Sequence, residues 1–302
     1  MKKSQMKKSQ MRTRKNLKTE AKKQFLARYW LCVAVGFASP LLSFALSQIG
    51  GAVLGSAPSL QGVLADFSGN IAGYMLSWVR SLSVSTVVGV VALEASYFFL
   101  RVFRDEKVRL GEFFTGLTAD VGRKLGASFW QALFLLIWTR VGSDLPIVLL
   151  AVLPASGSNT ALAVAFLVFA CVMLVPLIVK SLSYSMMYYI VRECPKVSVR
   201  KALRLSITLM KGRKRKLLTL YLGFAGWFLA ISAIAIGVVH IFFSGSDQPT
   251  ARMLVMFCIM GIGLGLHASP FLSVLRAGFY NDLKRDGLRN RVITQAELDG
   301  AE

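Results

Sequence analysis

Three ionisable side chains stand where hydrocarbon would make their charge costly. Glu94 sits in Val90-Val91-Ala92-Leu93-Glu94-Ala95, Lys180 closes an uncharged run that begins at Ala161, and His267 lies in the last long apolar run. A carboxylate inside a bilayer must be protonated, paired or turned to water. An intramembrane acid with bases at a similar depth is the chemistry of a proton or ion relay, or of a small polar pocket. The plainer reading, which we adopt, is a structural pair with Lys180 extending its stem to the interface.

A second group is cationic. Arg200, Lys201, Arg204 and Lys211 are followed by Arg213-Lys214-Arg215-Lys216. At 100° per residue from Val199, the first four fall within an arc of roughly 100° to 200°, and Leu205, Leu209, Ala202, Ser206, Met210, Leu203 and Ile207 fill the rest. With Ser198 as N-cap and Gly212 as C-cap, the pattern predicts an amphipathic helix over 198–211, lying in the inner headgroup region with its apolar face down. The eight basic residues would attract anionic lipid of the cytoplasmic leaflet at about 1 kcal/mol each near the surface, or an acidic partner. The plainer use of such charge is to keep the loop inside the cell. Nucleic acid is not expected, because no aromatic-studded sheet or recognition helix accompanies the charge.

Other chemistry is missing. There is no GxSxG elbow, P-loop or HExxH. Cys32, Cys171, Cys194 and Cys258 are scattered without a CxxC pair, and His240 lies far from His267, so neither a metal nor a cofactor is expected. Gly261 and Gly265 form a small-xxx-small pair inside an apolar run, which favours close helix contact. The chain is therefore not expected to be an enzyme.

The elements that would position these residues follow from composition. The chain has 302 residues, 55% of them hydrophobic, and a net charge of +21, so apolar and basic residues must be segregated along it. Apolar runs long enough to cross a core of about 30 Å as helices predict six crossings, at 29–46, 82–100, 125–145, 161–179, 217–239 and 253–275. These form a six-helix transmembrane domain over 29–283, preceded by a basic, partly disordered arm at 1–28 and followed by a tail at 284–302. The arm carries the repeat Lys2-Lys3-Ser4-Gln5-Met6 and Lys7-Lys8-Ser9-Gln10-Met11, and its length argues against a cleaved signal peptide. Residues 71–79, ended by Arg80, read as an interfacial or partly inserted approach to the second crossing. Arg140, Asp144 and Pro146 leave two readings of the third: a helix that stops at the outer interface, or one long helix with an Arg140/Asp144 pair at i, i+4.

Segments 1–28, 101–124, 192–216 and 276–291 hold eleven, six, ten and five Lys/Arg, and only Arg80, Arg140, Lys180 and Arg252 lie elsewhere. Basic residues resist translocation, so both termini are expected in the cytoplasm.

From Lys180-Ser181-Leu182-Ser183-Tyr184-Ser185-Met186 and Val199 to Gly212, the chain resembles a bacterial family of multi-pass membrane proteins, domain of unknown function nine hundred and seventy-five. The likeness runs from Pro176 to Leu283 and includes Tyr184-Ser185-Met186, Pro195, Ser206 to Gly212, Gly223-Phe224-Ala225-Gly226-Trp227 and Phe279-Tyr280. Departures are Pro176-Leu177 where Pro-Gly is usual, Gly223 for Ser, and Pro270-Phe271 for Pro-Tyr. The resemblance implies a bacterial plasma-membrane location and the six-helix architecture, and supplies no reaction.

The expected fold is thus an all-α polytopic membrane helical bundle with a cytoplasmic interfacial helix. The expected role is a non-catalytic, membrane-embedded interaction or assembly protein that contacts anionic lipid, with a membrane-protein partner or a second copy of the chain. The alternative is a small-solute or ion transporter.

Overall fold

Helix is the only regular structure among the described residues, as expected of backbone that must satisfy its own hydrogen bonds in lipid. The computed structural model describes residues 14–54, 71–152, 160–243 and 249–299. In chain order the helices are α1 (Arg14–Ala27), α2 (Tyr29–Leu54), α3 (Ile71–Phe103), α4 (Leu110–Thr118), α5 (Val121–Val152), α6 (Thr160–Tyr184), α7 (Met187–Glu193), α8 (Val199–Met210), α9 (Lys214–Phe243), α10 (Pro249–Gly263), a π-helical turn Leu264–Ala268, α11 (Ser269–Arg289) and α12 (Gln295–Asp299). The repeat of the basic arm, the turn at 154–159 and most of the expected outer loops lie outside the described residues.

Five helical stretches among the described residues are long and apolar enough to cross a membrane: Tyr29–Leu54, Ala72–Phe103, Cys171–Glu193, Lys214–Phe242 and Cys258–Arg289. α5, where the third crossing was expected, is 32 residues long. The chain is an all-α polytopic membrane protein. Charged residues inside the long helices do not interrupt them. Arg80 lies within the continuous α3, and α5 continues from Val121 through Arg140 and Pro146 to Val152. Arg140 is met by α3, since its Nη2 donates to Ser81 Oγ at 2.7 Å and its guanidinium lies 5.9 Å from the Trp78 ring centroid. The side chain of Asp144 is outside the described residues.

The chain divides into two compact units. The first comprises Met1–Leu41, Glu94–Ala119 and Gly212–Glu302, and the second Leu42–Leu93 and Asp120–Lys211. In the first, α1 packs along α11 through Leu17, Ala21 and Phe25, which recur every four residues on one stripe and are all buried. Arginine–carboxylate pairs tie its segments: Arg28 to Asp105 at 3.0 Å, Arg101 to Glu106 at 3.0 Å and to Glu112, and Arg213 to Asp286. Arg104 also donates to Asn281 Oδ1 at 3.2 Å. Residues 101–106, the end of α3 and the turn after it, are thereby held by the side chains of Arg28, Glu112 and Asn281.

In the second unit α5 packs on α6, and α8 on α5, α6 and α7. Ser198 caps α8 by accepting from the Lys201 N–H, and Gly212 follows the helix at φ +75°, a left-handed conformation that glycine takes without strain. Ala202, Leu203, Leu205, Ser206, Leu209 and Met210 are buried. The apolar side expected to face the headgroups is occupied by protein. Ser206 Oγ, fully buried, donates to the Ser183 carbonyl at 2.7 Å and fixes the helix on the end of α6.

Phe103 of the first unit packs over Gly278 so closely that a Cβ there would overlap its ring. Gly278→Ala is expected to lower stability by about 1–3 kcal/mol through overpacking, read as a fall in the thermal midpoint of the detergent-purified protein. An unchanged midpoint would show that the ring moves aside freely.

Candidate functional site

The candidate site is the cationic stripe of α8, in the second unit. Arg200, Arg204, Ile207, Thr208 and Lys211 are exposed, and they share one stripe because residues three, four and seven apart stack on a helix. Lys201 is half-buried at the margin. The segment Val199–Met210 contains no acidic residue. The Arg200 guanidinium lies 4.5 Å from the centroid of the half-buried Trp130 ring on α5. A cation at this distance over an indole face is attracted by the ring's electrons.

The turn that delivers the chain to α8 is clamped by another arginine. Arg123, at the start of α5, donates to the carbonyls of Cys194 at 2.7 Å and Val197 at 2.6 Å. Burial lowers its pKa, opposed by the charge of Asp120. Pro195, Lys196 and Ser198 are left exposed ahead of the helix.

The four basic residues after Gly212 belong to the first unit and are not equivalent. Arg213 is engaged by Asp286 of α11. Lys214 is half-buried, whereas Arg215 and Lys216 are exposed. Asp286 also accepts from Asn290 Nδ2 at 2.9 Å, so its carboxylate is anchored within its own helix.

The three intramembrane polar residues have different surroundings. Glu94 is buried, 3% exposed, and its carboxylate lies against Gly116 of α4, where a Cβ would come within 2.5 Å of Oε2. The His267 ring, in the π-helical turn, is packed among aromatic rings: Phe25 edge-on at 5.2 Å, Phe271 stacked at 6.0 Å and Trp227 tilted at 6.0 Å. Tyr29 donates to the Leu266 carbonyl of the same turn at 3.2 Å, which serves a backbone acceptor in the widened helix. In the second unit Lys180 Nζ lies 5.2 Å from the centroid of the Trp138 ring. Glu94 and His267 thus occupy separate packing environments of the first unit. Of the two glycines, Gly265 receives the Phe37 ring, its would-be Cβ 2.8 Å from Cζ, while a Cβ at Gly261 meets nothing within 4 Å among the described residues.

Several residues that shape these sites escaped the sequence reading. Trp130, Asp286, Phe25, Trp227 and Phe271 carry no signal of these contacts in their spacing. Nothing in spacing links Arg213 to Asp286 or Arg200 to Trp130, because each pair joins segments far apart in the chain. No group of three or more His, Cys, Asp or Glu able to hold a metal occurs among the described residues.

These features define a polytopic helical membrane protein in which a docked amphipathic helix keeps its cationic stripe exposed. Within that class the chain belongs to the family described as Protein of unknown function (DUF975), whose model matches residues 6–286. No curated protein and no solved structure matches the chain.

Two outcomes follow. Gly265→Ala is expected to cost about 1–3 kcal/mol, whereas Gly261→Ala is neutral or stabilises by up to about 1 kcal/mol, the helix preference for alanine; paired thermal unfolding in detergent separates them. The second concerns acid. The hydrogen bond from Arg101 holds the exposed Glu112 carboxyl below its ordinary 4.5. A depressed folded value means stability that is present above the unfolded value and lost as the pH falls through the folded one. Thermal midpoints measured from about pH 5 down to about pH 3 should fall less steeply in Glu112→Gln than in the parent, and equal slopes would remove Glu112 from the acid response.

Proposed function

We propose that the protein is a non-catalytic, membrane-embedded interaction or assembly protein that engages anionic lipid of the cytoplasmic leaflet through its exposed basic residues. The observation that carries this is the division of labour among its cations. Arg28, Arg101, Arg104, Arg123 and Arg213 are engaged by carboxylates, an amide or carbonyls, while Arg200, Arg204 and Lys211 are exposed along one face of α8. Cations needed only for architecture are built in. Arg200, Arg204 and Lys211 share one exposed stripe of α8, where anionic headgroups would supply the counter-charge.

The packing of the intramembrane polar residues supports a role without catalysis. Aromatic rings and a glycine backbone surround them, an arrangement that stabilises polar groups rather than presenting them to a substrate. The placement is the cell membrane with both termini in the cytoplasm, in keeping with the skewed distribution of Lys and Arg.

The test is mass spectrometry of the gently solubilised, tag-purified protein, comparing the parent with Arg215→Gln/Lys216→Gln. Enrichment of anionic lipid or of a stoichiometric membrane protein over the bulk membrane, reduced in the variant, is the expected result. Bulk lipid composition in both samples, with no protein retained, overturns the proposal.

A further inference from the structure

The exposed stripe of α8 combines arginines, an apolar side chain and a tryptophan ring. Its cations alternate with one large apolar side chain: Ile207, 41% exposed, lies between Arg204 and Lys211 on the same face, although its apolar neighbours Leu203, Leu205, Leu209 and Met210 are buried. Arg200, one turn before Arg204, is the cation stacked on Trp130. Trp130 lies about one and a half turns into the crossing expected from Leu125, the depth at which tryptophan marks the boundary between headgroups and hydrocarbon.

From this we infer that Arg200 and Arg204 form a binding site for the phosphate of an anionic phospholipid, with Trp130 as the positioning residue and Ile207 beside the start of the acyl chains. The inference rests on the lipid-engaging reading above and adds to it the site, the atoms and the source of the phosphate. Physical reasons select a lipid over a soluble anion or an acidic protein. A guanidinium held over an indole, 4.5 Å from its centroid, keeps N–H donors for a two-point contact to phosphate oxygens. A second guanidinium one turn away provides a second donor on the same face. An exposed isoleucine within such a stripe serves nothing for an inorganic anion, whereas it matches a ligand that is charged at one end and apolar at the other. The buried side of the helix removes the freedom to roll, so the stripe is presented at fixed orientation, anchored by Ser206 on the Ser183 carbonyl.

The full chain is reconstituted in nanodiscs of phosphatidylcholine mixed with phosphatidylglycerol, and native mass spectrometry counts the lipids retained on release. The variants are Arg200→Gln, Arg204→Gln, Trp130→Leu and, for the other basic segment, Arg215→Gln/Lys216→Gln. Each exposed arginine substitution is expected to lower phosphatidylglycerol retention about fivefold. Trp130→Leu, which changes no charge, should lower it as well, and size-exclusion profiles identify any variant that fails to fold. If the parent protein retains no phosphatidylglycerol in excess, the lipid part of the functional proposal fails. If it does, and only Arg215→Gln/Lys216→Gln reduces retention, that proposal stands and this site is wrong. Full retention in Trp130→Leu overturns the positioning role. Loss of a stoichiometric protein rather than lipid from the cell-purified Arg200→Gln or Arg204→Gln variants assigns the stripe to an acidic protein and also overturns the inference.

Discussion

The burial of one side of α8 governs what the cationic segment can do. A helix with basic residues on one face and leucines on the other has two ways to cover its apolar side, lipid or protein. Here protein covers it: Leu205 and Leu209 are within 5% of full burial, and Ser206 is hydrogen-bonded inside. Polar burial with a satisfied partner fixes rotation as well as position. The consequence is that Arg200, Arg204 and Lys211 are aimed by the fold rather than by the membrane.

Elsewhere the chain uses arginine and lysine differently. Arginine closes the architecture, through forks to carboxylates in the first unit and to the backbone carbonyls of the Cys194–Val197 turn in the second. Its planar fork suits such contacts. Three lysines of α1 are left at its edge: Lys15, Lys22 and Lys23 lie on the exposed side, opposite the buried stripe of Leu17, Ala21 and Phe25. Lysines of this kind contribute charge without fixed geometry, which is enough for topology and for diffuse attraction to anionic lipid.

Much of the architecture was legible in the residues. Hydropathy and length mark apolar helices, because lipid admits few alternatives, and the family likeness read over Pro176 to Leu283 extends in the family match to residues 6–286. The amphipathic arc of 198–211 and its two caps were also legible, since both are local. What covers the apolar arc was not, because periodicity reports that a face is greasy without naming its neighbour. For a related reason the sequence left open whether the helix continues at Arg140. Hydropathy drops at an arginine, yet a helix continues when Ser81 and Trp78 receive the guanidinium from another segment. Trp130 beneath Arg200 and the rings around His267 are likewise tertiary facts.

The most direct test of the docked helix is thiol reactivity at near-isosteric positions in a variant without native cysteines. Ser206→Cys and Ala202→Cys are compared with Arg204→Cys, using one water-soluble and one membrane-partitioning reagent. With α8 docked on protein, Arg204→Cys reacts while Ser206→Cys and Ala202→Cys resist both reagents until the protein is unfolded. Ready labelling of Ser206→Cys or Ala202→Cys by the membrane-partitioning reagent in the folded protein would mean that the apolar side faces lipid, and would contradict the account.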